Sequence, residues 1–206
     1  MLILVVAATA PEVAPLSKYF GNKIDLLVTG AGMVPTAFAL GHHFAHSKYD
    51  LVINLGIAGS FDRNIEPGHV LEVTEDTFAE MGAEDDEQFI PMNTLGFGEI
   101  TYKPTTTLNE VYSNFFLKKV RAITVNTVHG NELSIKKVQA RLNPQLENME
   151  GAAFFYACGQ VNAPCMQIRA VSNYVEKRNR DSWQIGLAIK NLNTFAIDLI
   201  DAIINS

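Results

Sequence analysis

Basic runs are missing from this 206-residue chain, and its formal net charge is -6. That excludes a surface built for the phosphate backbone of nucleic acid, although not a nucleotide-sized ligand. No apolar run is long enough to span a membrane. Met1 to Ala10 is apolar but has no basic leader, so it reads as a first strand and not as a signal peptide. Cysteine is scarce: Cys158 and Cys165 alone, read as buried free thiols in a reducing cytosol, which makes the protein cytoplasmic. No Cys/His spacing suits a metal. His42, His43 and His46 bunch on one helix without an acidic or thiol partner nearby, so they read as surface or interface residues. No cofactor is called for. Repeats, linkers and low-complexity tracts are absent too, and residues 1–206 read as one domain with 48% hydrophobic residues to fill its core.

What is present is alternation of strands and helices. Leu2 to Val6 is an unbroken aliphatic run, as a strand buried on both faces requires. A helix follows to about Tyr19. Further strands are predicted at Ile24–Val28, Leu51–Leu55, Gly68–Val73, Ala122–Val128, Gln145–Met149 and Pro164–Ser172. Helices are predicted at Pro35–His46, Thr107–Phe116, Leu133–Leu142, Gly151–Gly159 and Trp183–Ile204. Glu80 to Glu87 reads as an acidic, mobile loop, and Tyr174 to Asp181 as a polar one. The pattern gives an α/β fold, a three-layer α/β/α sandwich around a central mixed sheet.

Three polar residues fall at the carboxyl ends of strands, where α/β sheets bind small ligands: Glu12, Glu150 and Asn173. Glu150 joins a strand to a helix. The small residues Gly151, Ala152 and Ala153 let that helix lie close to the sheet, and Met149 offers a polarizable surface. A carboxylate beside a thioether suits a ribose, whose paired hydroxyls donate while its face packs on sulfur. A carboxylate in the first helical turn is also what the helix dipole favours, for Glu12 and Glu150 alike. Gly30-Ala31-Gly32 after a strand is a weak dinucleotide signal, because the third glycine falls at Pro35. Gly56-Ile57-Ala58-Gly59-Ser60 is either a tight turn or a loop whose backbone N–H groups cradle an anion or a sugar.

The Glu12 turn, TGAGM at 29–33, VINLGIAGS at 52–60, NMEGAA at 148–153 and RAVSN at 169–173 together resemble the purine nucleoside phosphorylase / nucleosidase superfamily over nearly the whole chain. The nearest branch is that of the methylthioadenosine/S-adenosylhomocysteine nucleosidases, and within it the sequence is most similar to the futalosine hydrolases. The resemblance implies cleavage of the bond between ribose C1′ and purine N9. Under it Glu12 activates water, Met149 and Glu150 form the ribose floor and hold its hydroxyls, and Arg169 lies near Glu150. Ile57 and Ala58 border the sugar, and Trp183 closes over the base. Ile57 stands where the nucleosidases often carry a hydroxyl residue, and Thr9 is a replacement. The resemblance implies a homo-oligomer acting on a small purine nucleoside, with the apolar start of helix Pro35–His46 as an interface. Phe89, Phe97 and His129 are candidates to line the channel for the 5′ substituent.

Two residue choices refine the expectation. A phosphorylase needs cations for phosphate, yet Ala7 to Glu12 has none and Arg63 is the only one after the third strand. Hydrolysis is therefore favoured. The adenine-cleaving nucleosidases end the RAVS-like strand with Asp, where this chain has Asn173. An amide donates to a 6-oxo group and accepts an N–H at N7 only once that nitrogen is protonated, so it favours hypoxanthine as it departs. The amide can also turn over and bind adenine through N6 and N7, without help from an acid; from the sequence both orientations stay open.

Overall fold

In a computed structural model that describes residues 1–205, ten strands and six helices follow in the order β1 (Ile3–Ala7), α1 (Ala10–Phe20), β2 (Asp25–Val28), α2 (Met33–Phe44), β3 (Leu51–Ser60), β4 (Val70–Phe78), β5 (Gly82–Asp85), β6 (Gln88–Pro91), β7 (Thr101–Tyr102), α3 (Leu108–Val111), β8 (Lys118–Thr124), α4 (Glu132–Leu142), β9 (Leu146–Asn148), α5 (Gly151–Gln160), β10 (Cys165–Tyr174) and α6 (Ile185–Ile204). The central sheet is mixed, with helices on both faces. Because both faces are covered, β1 is apolar at every position, and its residues divide by alternation. Ile3, Val5 and Ala7 pack with α1 and α6, whereas Leu4 and Val6 pack with α2 and α5.

The sheet also closes on itself. Strand β3 pairs with β10, β10 with β4, β4 with β8, β8 with β9, and β9 returns to β3. Strands β1 and β2 extend from the free edge of β3. That edge is shared: β1 occupies it at Leu51–Asn54 and β9 only at Gly59 and Ser60. Between the two, residues 55–58 of β3 have no ladder partner on that side. The gap places unpaired backbone donors at the carboxyl end of β1, where the crevice opens.

Several predicted boundaries move. The glycines 56 and 59 do not form a tight turn, because β3 runs extended through to Ser60. Strand β4 reaches Phe78, five residues further than predicted, gaining partners from β7 and β8. The acidic segment after Glu80 is a hairpin, β5 with β6. The helix expected over Thr107–Phe116 is a single turn, α3, started by a capping box between Thr107 and Glu110. No helix among the described residues is long and apolar enough to cross a membrane.

Candidate active site

Helix α1 starts in a capping box. Thr9 N–H and Oγ donate to Glu12 Oε2 at 2.9 and 2.8 Å. The cap does not exhaust the carboxylate. Its other oxygen, Oε1, crosses to the open edge of β3 and accepts the N–H of Ile57 at 3.1 Å. Three donors thus fix Glu12 in one orientation, and it is 7% exposed. Thr9, offered as a polar replacement beside the sugar, lines the cavity and donates its hydroxyl hydrogen to Glu12. The backbone of this turn is held from outside. Asn193 of α6 accepts Leu16 N–H at 3.1 Å and donates to Glu12 C=O at 2.8 Å, bridging the donor and acceptor a regular turn would pair directly.

Glu150 is positioned by residues of three of the motifs quoted above. Its own side chain does not cap α5. Asn148 does, accepting Glu150 N–H at 2.9 Å and Gly151 N–H at 2.6 Å. Glu150 Oε1 instead accepts Gly32 N–H at 3.0 Å. Gly32 precedes α2 with φ 102°, a conformation suited to glycine, so the Gly30-Ala31-Gly32 turn serves a carboxylate of the protein and not a dinucleotide. Arg169 Nη2 lies 3.9 Å from Glu150 Oε2, donates to Asn54 Oδ1 at 2.5 Å and reaches Asn148 Oδ1 at 3.2 Å.

Beneath Arg169 a buried polar cluster draws on all five strands of the closed ring. Asp76 of β4 accepts from Thr124 of β8 at 2.8 Å, Asn148 of β9 at 2.7 Å and Gln167 of β10 at 3.1 Å. Arg169 then joins Asn54 of β3 to the cluster. Burial pushes the Asp76 carboxyl up to about 6, against the opposing pull of these three donors and of the Arg169 charge. The close approach needs two glycines. A Cβ on Gly151 would stand 2.0 Å from Asp76 Oδ2, and one on Gly56 would stand 2.0 Å from Arg169 Nη1.

Asn173 reaches the site through an irregularity. Val171 pairs with Ala58 but Asn173 pairs with Gly59, so β10 carries one extra residue, Ser172. Without this bulge Asn173 would face Ser60 and point to the other side of the sheet. Its amide donates to Tyr174 C=O at 2.9 Å and accepts Ser172 Oγ–H at 2.7 Å. Only an N–H can face the Tyr174 carbonyl, so the amide is held one way round. Turning it over, the alternative left open above, would set oxygen against oxygen. One amide hydrogen and one carbonyl lone pair are left for a ligand.

One cavity of about 360 Å³ brings together Glu12, Ile57, Ala58, Met149, Glu150, Asn173 and Trp183. Arg169 is the exception: at 1% exposure it lies behind Glu150 and not in the lining. Of the three channel candidates, His129 lines the cavity, whereas Phe89 lies beneath Arg141 and Phe97 borders a separate apolar groove with Phe38. Arg63 is paired with Glu176 and stacked on Tyr174, away from the lining. Among the described residues, Arg178 is the only Arg or Lys that lines the cavity. Sequence reasoning missed Asn193, Asp76 and Glu147. Asn193 had one signal, a polar residue within an apolar helix; Asp76 and Glu147 stand among other polar residues and had none.

A crevice at strand ends with two buried carboxylates and an amide on its wall defines a small-molecule enzyme of the α/β class. The chain belongs to the phosphorylase superfamily, whose family model matches residues 15–205. Within it, the chain falls in the family of a futalosine hydrolase of Streptomyces coelicolor, to which it is 32% identical over 175 residues, 82% of this chain and 74% of that one. Two solved structures share the fold. A methylthioadenosine-bound nucleosidase of Helicobacter pylori matches with TM-score 0.83 at 16% identity, covering 98% of each chain. The native futalosine hydrolase of the same species matches with TM-score 0.82 at 15% identity, again covering 98% of each.

Proposed function

We propose that this enzyme hydrolyses the N-glycosidic bond of futalosine, releasing hypoxanthine and dehypoxanthine futalosine, as a step of menaquinone biosynthesis. The observation that carries the reading is the Asn173 amide, held one way round by Tyr174 and Ser172 on the wall of a cavity that also holds Glu12 and Glu150. In that orientation Nδ2–H donates to O6, and Oδ1 accepts N7–H as the base takes up a proton from solvent. The second contact exists only as the bond breaks, so it lowers the barrier and not merely the binding energy. Glu150 accepts from the ribose 2′ and 3′ hydroxyls, with Met149 under the sugar. As positive charge grows at C1′, Glu12 takes a proton from water and the hydroxide bonds to C1′. The C1′–N9 electron pair leaves with the purine. Three donors on Glu12 keep its remaining lone pairs aimed for that water. Similarity to the Streptomyces coelicolor futalosine hydrolase supports the choice of substrate.

The test is a product assay on futalosine, inosine and methylthioadenosine, with and without phosphate. Hypoxanthine released from futalosine independently of phosphate is expected. Faster adenine release from methylthioadenosine, or a requirement for phosphate, would overturn the reading. We further propose a cytoplasmic homo-oligomer that covers the exposed Val34 and Phe38 of α2 together with Phe97. Light scattering on the purified protein tests it, and a monomer at micromolar concentration would refute it.

A further inference from the structure

We infer that the Glu147–His129 pair reads the six-membered ring of the purine from the side opposite Asn173, with His129 Nε2 accepting N1–H. The inference rests on the function proposed above and adds to it a second specificity element. Glu147 of β9 and Asn173 of β10 both pair with Gly59 of β3, one from each side. Residues in one row of a sheet point to one face, so these two side chains flank a position that has none. A Cβ on Gly59 would come within 2.9 Å of Val175 and 3.4 Å of Asn173 Nδ2, so the bare floor between them is enforced. All three residues line the cavity, as does His129.

Glu147 is 4% exposed and commits both oxygens to His129. Oε1 accepts the backbone N–H at 2.9 Å, and Oε2 is in contact with Nδ1. A carboxylate accepts, so Nδ1 carries the proton, and in the neutral form of the ring Nε2 is an acceptor. Among the described residues Nε2 has no partner. A 6-oxopurine carries a donor at N1 and matches it. A 6-aminopurine carries a bare lone pair at N1 and opposes it. Asn173 reads O6 and N7 while His129 reads N1, so the two together sense the lactam and not just one atom of it. Glu147, which sets the tautomer, is a positioning residue.

The test is calorimetric titration of the intact protein with hypoxanthine and with 1-methylhypoxanthine at pH 8, where a methyl group replaces the N1 hydrogen; the Gln variant separates loss of the donor from the added bulk. Wild type should bind hypoxanthine at least about 10-fold tighter, the scale of one buried acceptor left unmatched. His129→Ala should lose most of that preference. His129→Gln, which restores an acceptor, should recover part of it, and Glu147→Gln should fall between. Equal affinity of wild type for the two bases overturns the inference without any variant. So does a folded His129→Ala that keeps the preference. If futalosine yields hypoxanthine yet the two bases bind equally, only the role of His129 falls. If neither base binds and futalosine is untouched, the proposed function falls with it.

Discussion

Adding one methyl group at Gly56 tests how the two carboxylates are held. In Gly56→Ala the new carbon would lie 2.0 Å from Arg169 Nη1 and 3.2 Å from Glu12 Oε1. An ordinary contact is about 3.5 Å, so the guanidinium has to retreat by about 1.5 Å. It has nowhere to go: Arg169 is 1% exposed, with Nη2 held by Asn54 at 2.5 Å and by Asn148 at 3.2 Å. Loss of a charged buried hydrogen bond costs about 1.5–3 kcal/mol, and overpacking adds about 1–3 kcal/mol. The sum, about 2.5–6 kcal/mol, lowers the melting temperature of a chain this size by about 5–24 °C. Turnover should fall at least about 10-fold, because the same methyl crowds the oxygen that Ile57 orients. Thermal unfolding and initial-rate measurements read the two effects. Gly41→Ala is the control. Gly41 lies inside α2 with nothing within 4 Å of an added Cβ, so alanine there should gain about 0.5–1 kcal/mol. A Gly56→Ala protein that melts within 2 °C of wild type and turns over normally would refute the packing argument.

Asp76 carries a signed pH dependence. Its folded pKa is raised from 3.8 to about 6, so the stability it contributes is complete below the unfolded value and is lost as pH rises through about 6. The stability difference between wild type and Asp76→Asn should therefore fall by about 3 kcal/mol from pH 3.5 to 7, measured by urea titration; a difference independent of pH would contradict the assignment. Asn193→Ala removes a bridge of three hydrogen bonds to Leu16 N–H, Glu12 C=O and Ile189 C=O, and should cost about 2–3 kcal/mol. Because the bridge holds the turn that carries Glu12, kcat should drop more than KM rises, and steady-state kinetics would show the reverse if Asn193 mattered only for binding. Asn173→Asp should weaken futalosine cleavage and raise cleavage of 6-aminopurine nucleosides, shifting the ratio of kcat/KM at least about 10-fold; an unchanged ratio would remove Asn173 from base selection.

Local pattern determined much of this protein. An aliphatic run buried on both faces can only be an interior strand, so β1 was legible from Leu2 to Val6. A carboxylate in the first turn of a helix that follows a strand marks Glu12, because both the turn and the helix dipole are local. Met149-Glu150 before small residues marks a strand joined to a closely packed helix. What the sequence left undecided depends on partners distant along the chain. Gly56 and Gly59 read as a tight turn or a backbone cradle, since nothing local says that Arg169 and Val175 will occupy the space where side chains would stand. The extra residue at Ser172 cannot be seen without β3 beside it, yet it decides which face Asn173 joins. Asn193 looks like one polar residue on a helix, and its value appears only where α6 meets α1. Chain-local forces chose the elements, because propensity and alternation act over a few residues. The site needed the tertiary structure, because register and close approach arise only when strands from opposite ends of the chain lie side by side.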